Sequence, residues 1–213
     1  MTTTLARVVS DRGKFVVYEG IDGSGTTTQA ARLAAHLRAK AIPVCETSEP
    51  TRGPFGAVIR QALEGRLEVD ERALAVAFAA DRYDHLFSTD RGIVDRLNAG
   101  TWVICDRYVL SSLVYQAANG MSADWIQSLN RYAIAPDVTV FIDTPVDECL
   151  SRLAARGTIP DRYEREETLL AVRERYLRAS SESPLVTVDG KGSVDEVFEA
   201  TLEKLRDHLN VAV

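Results

Sequence analysis

Short apolar runs alternate with longer segments of helical periodicity along most of the chain. Five runs have the length and composition of buried β-strands: FVVYEG, PVCETSEP, TWVICDRY, DVTVFID and PLVTVDG. By contrast, the segment TTQAARLAAHLRAK repeats apolar residues every three or four positions, at Ala30, Leu33, Ala34 and Leu37. That spacing places the apolar side chains on one face and predicts an amphipathic helix.

Further segments are predicted to be helical: GAVIRQALEG, ERALAVAFAADRYDHLFSTDRGIVDRLNAG with a break near Ser88–Gly92, the region that follows TWVICDRY through Tyr132, VDECLSRLAARG and SVDEVFEATLEKLRDHL. Strands and helices alternate from end to end, which predicts an α/β fold with a parallel sheet covered on both faces. No linker, repeat or low-complexity tract divides the chain. We therefore expect a single domain over residues 1–213, with residues 1–13 as a loose tail.

Composition and charge exclude several classes of protein. The chain of 213 residues can bury a sizeable core. Its net charge of -6 gives no support for general nucleic-acid binding. Cys45, Cys105 and Cys149 form neither a zinc spacing nor a disulfide framework, so we expect a reduced, cytoplasmic setting. No apolar run reaches the ~20 residues of a membrane span, and we expect no membrane partner.

The first predicted strand leads into EGIDGSGTTTQ, which nearly matches the phosphate-binding pattern G-x-x-x-x-G-K-[ST]. Gly20 and Gly25 have the required spacing, and Thr27 stands where a hydroxyl ligates magnesium. Thr26 stands where the pattern has lysine. Glycines let backbone N–H groups turn towards an anion, and the following helix adds its dipole. The alternative is a purely structural turn between strand and helix.

Charged residues follow two other strands, at the edge of the sheet where ligands of parallel α/β proteins bind. Glu49 and Arg52 come after the second strand, and Asp106 and Arg107 come after the third. An aspartate there can hold the magnesium shell and an arginine can hold a phosphate. The alternatives are a solvated turn for the first pair and a surface ion pair for the second.

Two helical segments carry side chains suited to binding a base. Phe78 and Arg82 are one turn apart, so a ring and a guanidinium could stack on a base and donate to it. Ser112 and Gln116 are likewise one turn apart and share a helix face. A core phenylalanine beside a surface arginine, and a capped helix with a solvated face, are the alternatives.

The segment RGTIPDRYERE lies between two helical stretches and is rich in charge of both signs. It holds Arg156, Arg162 and Arg165, and Arg152 lies one helical turn before it. Positive charge on a flexible loop is what a lid over transferring phosphates requires. A mixed-charge surface loop is the alternative.

Taken together, these motifs resemble those of the thymidylate kinases, from about Phe15 to the final helix. The similar stretches are EGIDGSGTTTQ, EPTRGPFGAVIRQAL, FAADRYDHL, VICDRYVLSSLVYQ and PDVTVFIDTPVDECLSRLAARG. The resemblance implies a three-layer P-loop kinase fold with a short lid at about 156–166. It also implies transfer of the γ-phosphoryl group of ATP to dTMP with Mg²⁺, and a homodimer formed through helices.

The resemblance implies a role for individual residues towards each ligand. The phosphates of ATP would be held by Gly20, Asp22, Gly23, Ser24, Gly25, Thr26, Thr27 and Thr28. The acceptor dTMP would be bound by Glu49, Arg60, Phe78, Arg82, Arg107, Ser112, Tyr115 and Gln116. Magnesium and its waters would be supported by Thr27, Glu49 and Asp106. Catalysis would depend on Asp22, Arg107, Arg156 and Arg162.

Within the acceptor set, Phe78 would stack on thymine and Arg82 would bind its carbonyl edge. Arg60 and Arg107 would grip the phosphate, and Tyr115 would lie against the deoxyribose and disfavour a 2′-hydroxyl. Ser112 and Gln116 would read the base, and Asp22 would approach the sugar.

The sequence departs from the family pattern at two positions. Ser48 stands where the family often has arginine, and Arg52 or Arg60 would take that role. Thr26 replaces the lysine that binds the β- and γ-phosphates of the donor. Since the loop itself has no arginine, the compensating charge is expected from Arg156 and Arg162.

Three functions remain compatible with these departures. The first is an active thymidylate kinase, the second a nucleotide-binding protein without catalysis, and the third a kinase of another deoxynucleotide. The complete set of acceptor residues favours the first.

Overall fold

The computed structural model describes residues 12–89, 91–156, 163–182 and 185–209. In this part of the chain five strands alternate with helices. The strands are β1 (Phe15–Glu19), β2 (Val44–Ser48), β3 (Trp102–Asp106), β4 (Val138–Asp143) and β5 (Val186–Asp189). The helices are α1 (Thr26–Ala39), α2 (Pro54–Leu63), α3 (Glu71–Phe87), α4 (Ile93–Asn98), α5 (Val109–Ala118), α6 (Ala123–Leu129), α7 (Val146–Arg156), α8 (Glu166–Glu182) and α9 (Val194–Leu209).

The five strands form one parallel sheet in the order β2-β3-β1-β4-β5. Strand β1 lies at the centre, and all five of its side chains are buried. A strand buried on both faces is a continuous apolar run, and FVVYEG has that composition. The predicted α/β fold with a parallel sheet is confirmed.

Helices cover both faces of the sheet and make three layers. On one face, α1 and α9 bury leucines such as Leu33, Leu37 and Leu202 against Val16 and Val140 of the sheet. The other face carries two neighbouring clusters. Residues of α3 and α4 pack on β1, and residues of α5, α7 and α8 pack on β4. Apolar burial on both faces stabilises the sheet and holds each helix in place against it.

The long helical segment after α2 is interrupted where the sequence predicted a break. Helix α3 ends at Phe87, and α4 begins after Gly92. A Cβ on Gly92 would lie 2.6 Å from the carbonyl oxygen of Leu86, so only glycine fits there. At its other end, α3 begins at an Asp70 cap whose side chain accepts from the backbone N–H of Arg72.

Two predicted segments extend beyond the described residues. Arg12 and Gly13 belong to the folded body, because Arg12 pairs with Asp137 at 3.0 Å and the Gly13 N–H donates to the Leu97 carbonyl. The predicted tail thus reaches no further than residue 11, and residues 1–11 lie outside the described part. So do residues 157–162 of the predicted lid. Among the helices that are described, none has the length and apolarity to cross a membrane.

The carboxyl ends of β1, β2 and β3 meet at one edge of the sheet. Backbone hydrogen bonds continue past the strands there, from Arg107 to the Tyr18 carbonyl and from Glu49 to the Asp106 carbonyl. The residues that follow these three strands are thereby brought side by side.

Candidate active site

A cavity of about 950 Å³ opens at this edge of the sheet. Its walls come from the loops after β1, β2 and β3 and from α2, α3 and α5. Residues predicted from the sequence make up much of its lining: Asp22, Thr27, Glu49, Arg60, Phe78, Arg82, Asp106, Arg107, Ser112, Tyr115 and Gln116. Side chains separated by almost a hundred residues in sequence therefore share one volume.

The turn after β1 has the backbone shape of a phosphate cradle. Gly23 and Gly25 have φ angles of 86° and 99°, which side chains with a Cβ rarely adopt. A Cβ on Gly23 would also lie 2.6 Å from the Cys149 carbonyl oxygen. Helix α1 begins directly after Gly25, and its first N–H groups have no intrahelical acceptor. Gly20, Ser24, Thr26 and Thr28 complete this segment, with Ser24 and Thr26 buried and Thr28 exposed.

Two oxygen-bearing side chains beside the turn fit a magnesium ion. The Thr27 hydroxyl donates to Oδ2 of Asp106 at 2.5 Å, and Oδ1 of Asp106 is buried with no hydrogen-bond partner among the described residues. Mg²⁺ takes hard oxygen ligands and keeps several waters, so one hydroxyl and one carboxylate are a suitable protein contribution.

Arg107 links the turn to the cavity. Its guanidinium donates to the Gly20 carbonyl at 2.8 Å and to Oδ1 of Asp22 at 2.7 Å, and it lies over the ring of Tyr115. The Tyr115 hydroxyl donates to the other Asp22 oxygen at 3.0 Å. Arg107 itself has a φ of 70°, an uncommon angle for a residue with a Cβ. The unusual backbone aims its side chain back over β1 rather than along α5.

Arg82 is almost fully buried and holds several partners at once. Its Nε donates to Glu49 at 2.8 Å, and one terminal nitrogen donates to the Tyr108 carbonyl and the Ser112 hydroxyl at 3.1 Å each. The other terminal nitrogen donates to Asn130. The first terminal nitrogen also contacts Glu49 at 2.8 Å. The second terminal nitrogen carries two N–H groups, and among the described residues Asn130 is the acceptor of one of them, so its other N–H is left over on a side chain that lines the cavity.

Glu49 faces Arg82 and His85 rather than Thr27 and Asp106. Its Oε2 accepts from Arg82 at 2.8 Å, and its Oε1 contacts Nδ1 of His85 at 3.1 Å. Both carboxylate oxygens thus have partners. In this arrangement Thr27 and Asp106 are the residues suited to hold magnesium, and Glu49 forms an ion pair with Arg82.

The remaining acceptor residues surround the same volume. Gln116 is buried, and its Oε1 has no hydrogen-bond partner in the described structure. Phe78 is half-buried and packs beside Ile59 and Leu74. Arg60 donates to the carbonyl oxygens of Pro50 and Thr51. Arg52 also lines the cavity. Both arginines that could replace the family arginine missing at position 48 are therefore present there.

A buried carboxylate underlies the site at the end of β1. Glu19 accepts from the backbone N–H groups of Tyr108 and Ser111 and from the hydroxyls of Ser111 and Tyr176, at 2.6–3.1 Å. Burial raises the pKa of its carboxyl above the ordinary value, while the hydrogen bonds and the charge of Arg107 lower it. Glu19 thereby joins β1, the start of α5 and the middle of α8.

The arginines of α7 occupy different surroundings. Arg152 donates to the Ser24 carbonyl at 3.3 Å and to the Gly190 carbonyl at 2.9 Å, so its guanidinium lies against the turn after β1. Arg156 is exposed at the end of α7 and is not part of the cavity lining. Arg162 lies outside the described residues.

Sequence patterns did not reveal four residues of this site. Glu19, His85 and Asn130 hold partners in the buried network, and Tyr163 packs edge-on against Tyr115 at the cavity wall. His85 lies one turn after Arg82, but that spacing does not show that its ring meets Glu49. The other three gave no local signal.

Comparison with known proteins agrees with this arrangement. A family model described as "Thymidylate kinase" matches residues 18–201. The probable thymidylate kinase of Methanococcus aeolicus is 38% identical over 202 residues, which cover 91% of this chain and 96% of that protein. The probable thymidylate kinase of Pyrococcus abyssi is 39% identical over 204 residues, covering 93% and 98%. The solved structure of thymidylate kinase from Candida albicans superposes with a TM-score of 0.81 at 25% identity and covers 93% of each chain.

Proposed function

The chain belongs to the thymidylate kinase family, and from that premise we propose which of its residues bind each substrate. It is a phosphotransferase that transfers the γ-phosphoryl group of ATP to dTMP, giving dTDP, and it uses Mg²⁺. The assignment of roles depends on one observation: the predicted acceptor residues and the Thr27–Asp106 pair line a single cavity.

The acceptor dTMP binds in the part of the cavity between α3 and α5. The Phe78 ring stacks on thymine, and the remaining donor of Arg82 reaches its carbonyl edge. The buried Oε1 of Gln116, which has no partner among the described residues, accepts from the base, because a buried polar atom without a partner is costly unless a ligand satisfies it. Ser112 accepts from Arg82 and keeps the guanidinium in place.

The sugar and phosphate of dTMP lie towards the turn after β1. Tyr115 lies against the deoxyribose, and Asp22, held by Tyr115 and Arg107, faces the same end. Arg107 and Arg60 grip the phosphate, for which a guanidinium gives two parallel donors. Arg107 also donates to the Gly20 carbonyl, so it lies between the dTMP phosphate and the turn that binds ATP.

The phosphates of ATP bind to the turn itself. Gly20, Gly23 and Gly25 let the backbone approach them, and the N-terminus of α1 supplies N–H groups and a favourable dipole. Mg²⁺, when bound at Thr27 and Asp106, neutralises charge on the transferring phosphoryl group. The protein's own residues act by holding both substrates in line and excluding water.

Arg156 and Arg162 supply the positive charge that Thr26 does not carry. Arg156 stands at the end of α7, one turn after Arg152, and Arg152 contacts the turn directly. Arginines on a lid can neutralise charge on the transferring phosphoryl group. The role of Arg162, which lies outside the described residues, is proposed from the family resemblance.

A second copy of the chain covers an apolar stripe on α3. Ala73, Val76, Ala80, Tyr83 and Phe87 recur every three or four residues, and Val76 and Phe87 are 47% and 51% exposed. That spacing is the one by which two helices pack along a common seam. We also place the protein in the cytoplasm, which suits its free cysteines Cys45, Cys105 and Cys149.

A coupled assay of dTMP phosphorylation tests the function. With Mg-ATP and dTMP at saturation, we expect dTDP and ADP in equal amounts and no product when Mg²⁺ is removed. Folded protein that gives no dTDP above a no-enzyme control contradicts the proposal. A shift in melting temperature with dTMP but without turnover would indicate a binding protein instead.

A further inference from the structure

A chain of four side chains runs behind the acceptor end of the cavity. The Thr47 hydroxyl lies 2.7 Å from Nε2 of His85, and Nδ1 of His85 lies 3.1 Å from Oε1 of Glu49. The second oxygen of Glu49 accepts from Arg82 at 2.8 Å. Thr47, Glu49 and Arg82 line the cavity, whereas His85 is not part of its lining.

The direction of each hydrogen bond in this series follows from Glu49, which can only accept. A carboxylate only accepts, so Nδ1 of His85 must carry a proton and donate to Glu49. In the neutral imidazole, Nε2 is then the acceptor, and the Thr47 hydroxyl donates to it. Glu49 thus sets the tautomer of His85, and the Thr47 hydroxyl, which can donate or accept, completes the hydrogen bonding of the ring.

Burial makes these contacts decisive for the orientation of Arg82. The side chains of Glu49, Arg82 and His85 are 3%, 1% and 10% exposed, so water competes little for their donors and acceptors. One oxygen of Glu49 contacts both Nε and a terminal nitrogen of Arg82. If His85 did not hold the other oxygen, the carboxylate could turn and the guanidinium would lose this fixed partner.

We propose that His85 is a positioning residue for base selection, acting through Glu49 on Arg82. The proposal rests on the function assigned above, in which the last donor of Arg82 meets the carbonyl edge of thymine. Cytosine presents an amino donor where thymine presents that carbonyl. A guanidinium held in one orientation therefore favours dTMP over dCMP. A guanidinium that can rotate loses the fixed donor direction and, with it, part of this selectivity.

Two substitutions of His85 separate positioning from packing. In His85→Asn the side-chain amide stands near the place of Nδ1 and can still donate to Glu49. In His85→Gln the amide reaches the place of Nε2, near Thr47, and leaves Glu49 without that donor. The measurement is the ratio of kcat/KM for dTMP to that for dCMP, together with KM for dTMP and for ATP.

We expect His85→Gln to lower the ratio about tenfold and to raise KM for dTMP, since it removes a hydrogen bond to a charged group. His85→Asn should stay within about twofold of the native ratio. KM for ATP should not change in either variant. His36→Gln on α1, away from the cavity, serves as the matched control and should change none of these values.

The same pair is then made in an Arg82→Lys background, where the guanidinium fork is absent but the charge opposite Glu49 remains. There the difference between Asn and Gln at position 85 should vanish. Equal losses for Asn and Gln, or an unchanged ratio in folded His85→Gln, would overturn the positioning role. An unchanged ratio in Arg82→Lys itself would overturn the base-reading role as well, so the two failures are distinguishable.

Discussion

Thr26 places a hydroxyl where the phosphate-binding pattern has an ammonium, and its side chain is buried in the turn. A phosphoryl-transfer site must neutralise charge spread over the transferring oxygens, mostly by positioned positive charge. Besides Arg107, which contacts Gly20 and Asp22, Arg152 also lies against the turn, and its guanidinium contacts the carbonyls of Gly23 and Ser24. Those contacts hold the outer side of the turn and leave its N–H groups for phosphate.

We predict that Arg156→Ala or Arg162→Ala lowers kcat strongly, by analogy with arginines worth ~10³–10⁵ in phosphoryl transfer. Thr26→Lys should not be a simple gain, because an added ammonium near an arginine is repelled and redundant. Steady-state kcat and KM for ATP in the single and double variants check both statements.

Arg152→Ala is the comparison for these variants. It should raise KM for ATP more than it lowers kcat, since Arg152 contacts the backbone of the turn. A gain of two or more orders of magnitude from Thr26→Lys alone would show that the native turn is impaired rather than compensated. An unchanged kcat in the variants of Arg156 and Arg162 would show that other groups supply the positive charge that Thr26 lacks.

Arg82 gives a second prediction for a single residue. Arg82→Ala should cost about 1–3 kcal/mol of discrimination between dTMP and dCMP, because a buried carbonyl of the base loses its donor. It also leaves Glu49 buried without its main partner, which destabilises the fold. Arg82→Lys keeps the charge and separates the two effects. Specificity ratios and melting curves of both variants are the measurement, and an unchanged ratio would assign Arg82 to structure alone.

Among the elements, β1, α5 and α8 are joined by the single buried carboxylate of Glu19. We predict that Glu19→Ala lowers the free energy of unfolding by about 2–3 kcal/mol and Tm by roughly 5–10 °C, because it leaves buried donors on Tyr108, Ser111 and Tyr176 unpaired. Denaturant and thermal unfolding curves check it. Glu203→Ala on the exposed side of α9 is the control, and equal melting temperatures for the two would contradict the role.

The elements were predictable because their signals are local. Apolar runs gave the strands, three-and-four spacing gave the helices, and the break near Ser88–Gly92 followed from turn residues. The meeting of Thr27 with Asp106 was also predictable, since the carboxyl ends of parallel strands share an edge.

Contacts that depend on the rotation of a helix against the sheet were not predictable. His85 turns towards Glu49, and Arg152 turns towards Ser24, only because α3 and α7 pack at particular angles. Periodicity tells which face of a helix is apolar but not which polar side chain meets a partner across the core. For the same reason Glu49 was expected beside Asp106 in the magnesium shell, whereas its side chain faces α3.

At the scale of the whole molecule, we predict a homodimer that uses the α3 stripe. Light scattering at micromolar concentration should give twice the mass of one chain. Val76→Glu should shift the mass to that of a monomer, because it places a charge in an apolar seam. Leu170→Glu, an equally exposed position on α8, should leave the dimer intact. A monomer for the native chain would reject the interface.

The strand order has a consequence for how the molecule is made. The central strand β1 is synthesised before both of its neighbours in the sheet, because β3 and β4 come about 90 and 120 residues later in the chain. At about 5–20 residues per second, FVVYE waits roughly 4–18 s for its first partner. During that interval an apolar strand with two open edges is exposed to chaperones and to other nascent chains. The arrangement that unites the ligand-binding loops at one edge thus leaves β1 open to aggregation until β3 has been synthesised.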